Sequence, residues 1–390
     1  MSKPVLTNYR MLGRMRSRMR GLSLVELLVA ITLGAIILGG AVTLFVNNRN
    51  TYKTTNELSR LQETARYALD MMVKDIRMAG FYGCADRLDT VTDNTGAVAG
   101  DLWNPANPIE GWEGDTAANY LPSNVAGTAA KGFGSTVGAS GAAGQVVTLG
   151  GITPDSITLR YLAASMNDQT GTAGVLDNMV TADALNGANS VITVDSTNGY
   201  TINQVAAISD CGGSDVFQIA VAPTATTVQA NALSRGYNAS SNPMIAPFVG
   251  VRYYVGANGR SPDPVNDPYP SLYRAVIGPG GLTETPQELF EGVESMQILY
   301  GVDTDADGAP NSYVRAGDAP LDVAANWNNV VSVRVAIIVR TIDQVGQASD
   351  RDLNTYVVND HDGVLRARFD PPDDRRRRRV FTTTAMVRNL

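Results

Sequence analysis

Twenty consecutive residues without a charge, Leu27 to Val46, constrain this chain more than any other feature. At about 1.5 Å per residue, a helix of that length covers about 30 Å, the thickness of a bilayer's hydrocarbon layer. The segment ahead of it, residues 1–21, carries Lys3, Arg10, Arg14, Arg16, Arg18 and Arg20 and no acid. A basic flank followed by an apolar span holds the N-terminus in the cytoplasm and sends the rest of the chain across. The reading is a single-pass inner-membrane protein with a transmembrane part at 27–46 and its bulk in the periplasm.

Charge and composition narrow the function classes. The formal charge of −7 divides into +6 for residues 1–21 and −13 for 22–390, so the exported part is acidic. That sign argues against general nucleic-acid binding, which needs a basic face, and no specific nucleic-acid partner is expected. The single histidine, His361, excludes sites built on two imidazoles and reads as a loop residue beside Asp360 and Asp362. No G-x-S-x-G elbow is present, and no enzyme is expected.

A cleavable signal peptide is the common alternative to an anchor. Against it stand the length of the run, the lack of an A-x-A site after Val46, and Glu26 among Leu24, Val25, Leu27 and Leu28. A carboxylate at mid-membrane costs roughly 2.5–3.5 kcal/mol and marks a functional position that needs a partner.

The run Gly21-Leu22-Ser23-Leu24-Val25-Glu26-Leu27-Leu28-Val29-Ala30 resembles the class III signal of type IV prepilins and type II secretion pseudopilins. The resemblance implies that prepilin peptidase cuts between Gly21 and Leu22 and methylates the new amine. It also implies that Glu26 neutralises the N-terminal amine of a neighbouring subunit during assembly. A paired charge in low dielectric is tolerable where a lone one is not. Leu22 departs from the more usual Phe.

Residues 41–79 contain neither Gly nor Pro, and Leu58, Leu61, Ala65, Leu69, Met72 and Ile76 recur at helical spacing. One continuous helix is expected over 22–79, stopped at Gly80, with its second half against a globular head. Beyond Gly80 the chain breaks into short β-rich runs: Ser156–Leu162, Val191–Val194, Val205–Ser209, Val216–Val221, Val249–Val255, Leu272–Ile277, Val293–Tyr300, Val330–Arg340 and Val380–Val387. The expectation is an α+β chain in three parts: leader 1–21, helix 22–79, and a β-rich head 80–390. The head is an antiparallel sheet with a flexible insertion at about 85–151, whose 123–151 portion holds eight glycines.

The head motifs narrow the likeness. Phe81-Tyr82-Gly83-Cys84, Ser209-Asp210-Cys211-Gly212-Gly213 with Phe217, Leu299 to Asp305, Val330 to Val335 and Arg379 to Thr384 together resemble PilW-type minor pilins. That likeness implies a type IV pilin-like fold and a low-abundance subunit that helps initiate pilus assembly at or near the tip. Its implied partners are other minor and major pilins and the inner-membrane assembly machinery, and its final location is the pilus at the cell surface. A J-like minor pseudopilin of type II secretion shares the same N-terminus. A membrane-tethered adhesin or binding module is the alternative from a different class.

Three local features remain. Cys84 and Cys211 in an exported chain invite a disulfide, worth about 4–5 kcal/mol in the chain-entropy model, with two buried thiols as the alternative. Asp303, Asp305 and Asp307 with Gly308 match the first half of an EF-hand calcium loop. Asn311 falls at its ninth position, Val314 replaces the closing Glu, and Asp318 is the candidate to fold back; a solvated acidic turn is the competing reading. Arg375–Arg379 is five arginines in a row, read as an acid–base loop balanced by Asp370, Asp373 and Asp374. Anionic lipid, nucleic acid or a neighbouring subunit are the other readings of that run.

Overall fold

The computed structural model describes residues 23–84, 90–97, 102–114, 152–163, 178–195, 199–263, 267–277, 284–347, 349–358 and 367–387. The leader with Gly21 and Leu22, the glycine-rich 123–151 stretch and His361 lie outside these residues. The chain divides into two compact units, Met1–Lys53 and Thr54–Leu390.

One helix, α1 (Leu24–Met78), contributes to both units and ends where Gly80 takes a φ of 79°. Within the first unit its apolar side chains are uncovered: Ile36, Ile37 and Phe45 are each about 70% exposed. The hydroxyls of Thr32 and Thr43 bond back to carbonyls one turn earlier, so neither needs an outside partner. In the second unit Leu61, Ala65, Leu69, Met72 and Ile76 of the expected stripe are buried along one face together with Ala68, while Leu58 is half-buried. Glu57 and Asp75 are buried on that same face.

The head begins with β1 (Val91–Asp93), β2 (Ile109–Trp112) and β3 (Ser156–Leu162). A series of short strands follows: β4 (Asn178–Met179), β5 (Gly187–Ala188), β6 (Val191–Thr193), β7 (Val205–Asp210), β8 (Gly213–Gln218), β9 (Thr227–Gln229) and β10 (Ala232–Leu233). Then come β11 (Met244–Ala257), β12 (Pro270–Ile277) and β13 (Glu284–Glu291). The last part holds β14 (Val293–Val302), β15 (Ser312–Val314), β16 (Val330–Arg340), β17 (Tyr356–Val358), β18 (Ala367–Phe369) and β19 (Arg378–Met386).

Strand β11 is the spine of a nine-stranded sheet. Its first residues pair with β7 and β4, and the rest with β3 on one side and β12 on the other. A second, four-stranded sheet runs β15-β14-β16-β19. The buried face of α1, residues of β3, β11 and β12, and residues of β14 and β16 share one apolar core. Residues 180–245 form a second core of their own around Ile192, Phe217, Val228 and Tyr237.

Two expectations need correction. The nine-stranded sheet is mixed, because β1 runs parallel to β8 with Val91 opposite Ser214. The disulfide Cys84–Cys211 explains the direction. Cys84 lies just ahead of β1 and Cys211 just ahead of β8, so the bridge sets the starts of both strands side by side. Gly213, at φ 152°, lets β8 approach Thr90, whose carbonyl oxygen would lie 2.7 Å from an added Cβ. The stretch 85–151 also is not insertion throughout, since β1 and β2 lie inside it and Ile109 and Trp112 are buried.

Candidate functional site: an apolar helix with an acid at its start, and the ionic clamps of the head

At the N-terminal end of α1, Ser23 and Glu26 bond reciprocally. The Glu26 backbone N–H donates to Ser23 Oγ at 3.2 Å, and the Ser23 N–H lies 3.5 Å from Glu26 Oε2. This is a capping box, satisfying two backbone donors that a helix start otherwise leaves unpaired. The S-x-x-E spacing Ser23-Leu24-Val25-Glu26 was the available signal. Glu26 is exposed and immediately precedes the uncharged apolar run that starts at Leu27.

Further along the same helix, Asp75 meets three strands of the nine-stranded sheet. It accepts from Tyr161 Oη of β3 at 2.9 Å and from Tyr253 Oη of β11 at 2.6 Å. Arg274 Nε of β12 adds a charged contact at 3.3 Å. Burial, and then the neighbouring Asp75 charge, push the Tyr253 hydroxyl well above its ordinary pKa, so it stays a donor. Sequence reasoning flagged Glu26 but passed over Asp75, an acid placed on an apolar stripe between Met72 and Ile76. Beside this clasp an open groove of about 490 Å³ is lined by Tyr67, Met71, Arg274, Leu289 and Phe290 among others.

The acidic loop after β14 brings Asp303, Asp305 and Asp307 together, with one oxygen of each within 4.8 Å of the others. Asp303 accepts from the backbone N–H groups of Asp305, Ala306 and Gly308 at 3.2, 2.7 and 2.8 Å. The Gly308 bond foremost, with those of Ala306 and Asp305, holds the Asp303 carboxyl below its ordinary pKa. Ala306 and Gly308 take φ of 61° and 85°, which bends the loop. Asn311 Oδ1 accepts from the Thr304 N–H at 2.6 Å, and Asp318 is engaged by Arg315 at 3.0 Å. The geometry thus joins three of the five residues expected to form a cation site. Asn311 serves as a cap and Asp318 as an ion-pair partner.

The arginine run leads into the last strand as expected, with 375–377 ahead of β19 and Arg378 and Arg379 already within it, but it is not a solvated loop. Arg376 and Arg378 are buried, while Arg375, Arg377 and Arg379 are half-buried or exposed, the alternation of an extended chain. Arg378 bonds both oxygens of Glu294, at 2.6 and 3.0 Å, both oxygens of Asp374, at 2.8 and 2.9 Å, and also meets Asp352 at 3.3 Å. Arg376 reaches Asp267 at 2.9 Å, and Arg340 shares Glu294 at 3.1 Å. Burial raises the Asp374 carboxyl, but the Arg378 guanidinium outweighs it and leaves the group below the ordinary carboxylate range. Of the three acids expected to balance the run only Asp374 does so; Asp370 and Asp373 are exposed, and Glu294, Asp267 and Asp352 arrive from distant segments. Cys84 and Cys211 form the expected disulfide across 127 residues, at an exposed position.

Comparison with known families gives two matches. Residues 252–389 match the family described as type IV pilus-assembly protein W, PilW, and residues 16–42 match the prokaryotic N-terminal methylation motif. Searches of the curated proteins and of the solved structures returned no match. The first match covers β12–β19 with the last part of β11 from Arg252 on, and thus the arginine clamp and the acidic loop; the second covers Glu26 and most of the apolar run. Together they support a pilin-like, PilW-type protein related to the type IV pilus and anchored by its N-terminal apolar helix.

Proposed function

We propose that this chain is a minor pilin, a structural subunit that helps initiate type IV pilus assembly at or near the filament tip. Prepilin peptidase cuts it between Gly21 and Leu22 on the cytoplasmic side, and the helix with Glu26 then enters a filament with other minor and major pilins. The observation that carries this reading is the uncovered apolar half of α1 beginning at an exposed carboxylate, within a methylation-motif match. Apolar side chains left uncovered by the described residues of their own unit require lipid or the helices of other subunits. PilW-type proteins are structural, and the ionic clusters of the head act here as clamps.

The decisive experiment is gene deletion complemented by the parent or by Glu26→Ala, scoring surface pili and protein secretion separately. Loss of pili with Glu26→Ala supports the proposal. Loss of secretion with normal pili transfers the chain to type II secretion, and full function with Glu26→Ala leaves a tethered binding module. Calcium at Asp303, Asp305 and Asp307 remains a separate proposal. A calcium-dependent rise in unfolding temperature that Asp305→Ala abolishes supports it, and the lack of any rise removes it.

A further inference from the structure

A sheet edge presents a row of unpaired backbone N–H and C=O groups, and proteins commonly blunt such edges. In this head β1, β2 and β15 are three, four and three residues long, too short to template much pairing. The long edge β13 is guarded: Pro286 removes a donor, the register slips opposite Leu272/Tyr273, and Glu288 and Glu291 line it. Edge β19 has nine residues and no such device over Val380–Met386, and among the described residues nothing pairs with its outer side.

The hydrogen-bond phase shows which groups face out. Val387 N–H bonds to Val331, and Thr341 N–H bonds to Arg377. The odd-numbered residues of β19 therefore exchange bonds with β16, and Val380, Thr382, Thr384 and Met386 turn their backbone groups outward. The side chains add a symmetry. Val380-Phe381-Thr382-Thr383-Thr384-Ala385-Met386 reads apolar, apolar, three threonines, apolar, apolar, and so is its own complement about Thr383.

We propose that β19 pairs antiparallel with β19 of a second copy of this chain about a twofold axis at Thr383. In that register the outward groups of Thr382 meet those of Thr384 in the other copy, and those of Val380 meet those of Met386. Apolar side chains face apolar ones and threonine faces threonine, as an isologous interface requires. In this register Arg379 of each copy falls opposite Val387 of the other. The two four-stranded sheets become one of eight strands. This inference does not depend on the assembly reading.

The register can be tested in the full chain in its own membrane, since Cys84 and Cys211 are already paired. Thr383 opposite its symmetry mate is a non-hydrogen-bonded pair with Cα atoms about 4.5 Å apart, within disulfide range. Under mild oxidation Thr383→Cys is expected to give a species of twice the monomer mass. Thr382→Cys, diagonal to its copy at about 7–8 Å, should give at least tenfold less. Thr382→Cys mixed with Thr384→Cys should restore the linked pair. Adding Thr384→Pro, which removes an outward N–H and an exposed hydroxyl that Arg334 reaches at 3.4 Å, should cut the Thr383→Cys product at least tenfold; Thr382→Pro replaces it if that chain fails to fold. A monomeric Thr383→Cys, equal linkage at 382 and 383, or linkage to a different protein overturns the proposal.

Discussion

Helix α1 carries two acids in opposite circumstances. Among the described residues, Glu26 is exposed at the start of a stretch whose apolar side chains have no cover in their own unit, and it bonds to Ser23 alone. Asp75 is buried and held by Tyr161, Tyr253 and Arg274. An acid already satisfied by its own fold serves stability, whereas an acid left open among apolar residues is available to another molecule. One helix therefore spends its two carboxylates on different tasks.

The sharpest way to break this contrast is Glu26→Ala. It should abolish pilus assembly outright while leaving the thermal unfolding of the head unchanged, and a lowered unfolding temperature would erase the distinction. Next in size, Asp75→Ala leaves the half-buried Arg274 without this carboxylate and takes the acceptor from Tyr253, and should cost about 2–4 kcal/mol in denaturant unfolding. An effect under about 1 kcal/mol would show that the clasp contributes little beyond packing. A third test concerns pH. Because the folded-state pKa of Asp374 is depressed, its contribution is fully present above the unfolded carboxyl value of about 3.9 and fades as pH falls through the lower folded value. Acid unfolding of Asp374→Asn should accordingly be flatter than that of the parent in this window. The smallest effect separates the two roles of Glu26. Ser23→Ala removes a helix cap worth about 1 kcal/mol and should leave pili intact. If it matches Glu26→Ala, the carboxylate acts as a cap alone.

Much of the architecture was legible because burial writes itself into periodicity. Ser156–Leu162 and Val330–Arg340 are strands at the expected bounds, and the stripe from Leu61 to Ile76 is the buried face of α1. What escaped is polar. Strand β13, Glu-Thr-Pro-Gln-Glu-Leu-Phe-Glu, reads as a loop because an edge strand keeps charges and tolerates proline. Strand β2 hides behind Glu110, which is buried only because Arg160 meets it at 2.7 Å from the neighbouring strand. The clamps at Arg376 and Arg378 were invisible for the same reason, since Asp267 stands 109 positions from Arg376, and Glu294 and Asp352 stand 84 and 26 from Arg378. Local pattern reports which face is wet; it does not report which distant charge will arrive to make a buried one tolerable.

The bridge from Cys84 to Cys211 closes β1 to β7 inside a covalent ring, whereas β8 and everything after it lie outside. A single protease cut within the glycine-rich 123–151 stretch would leave two fragments still tied together. Such a nicked chain should migrate as one species without reductant and as two with it. Damage to this segment is thus survivable for as long as the surroundings remain oxidising.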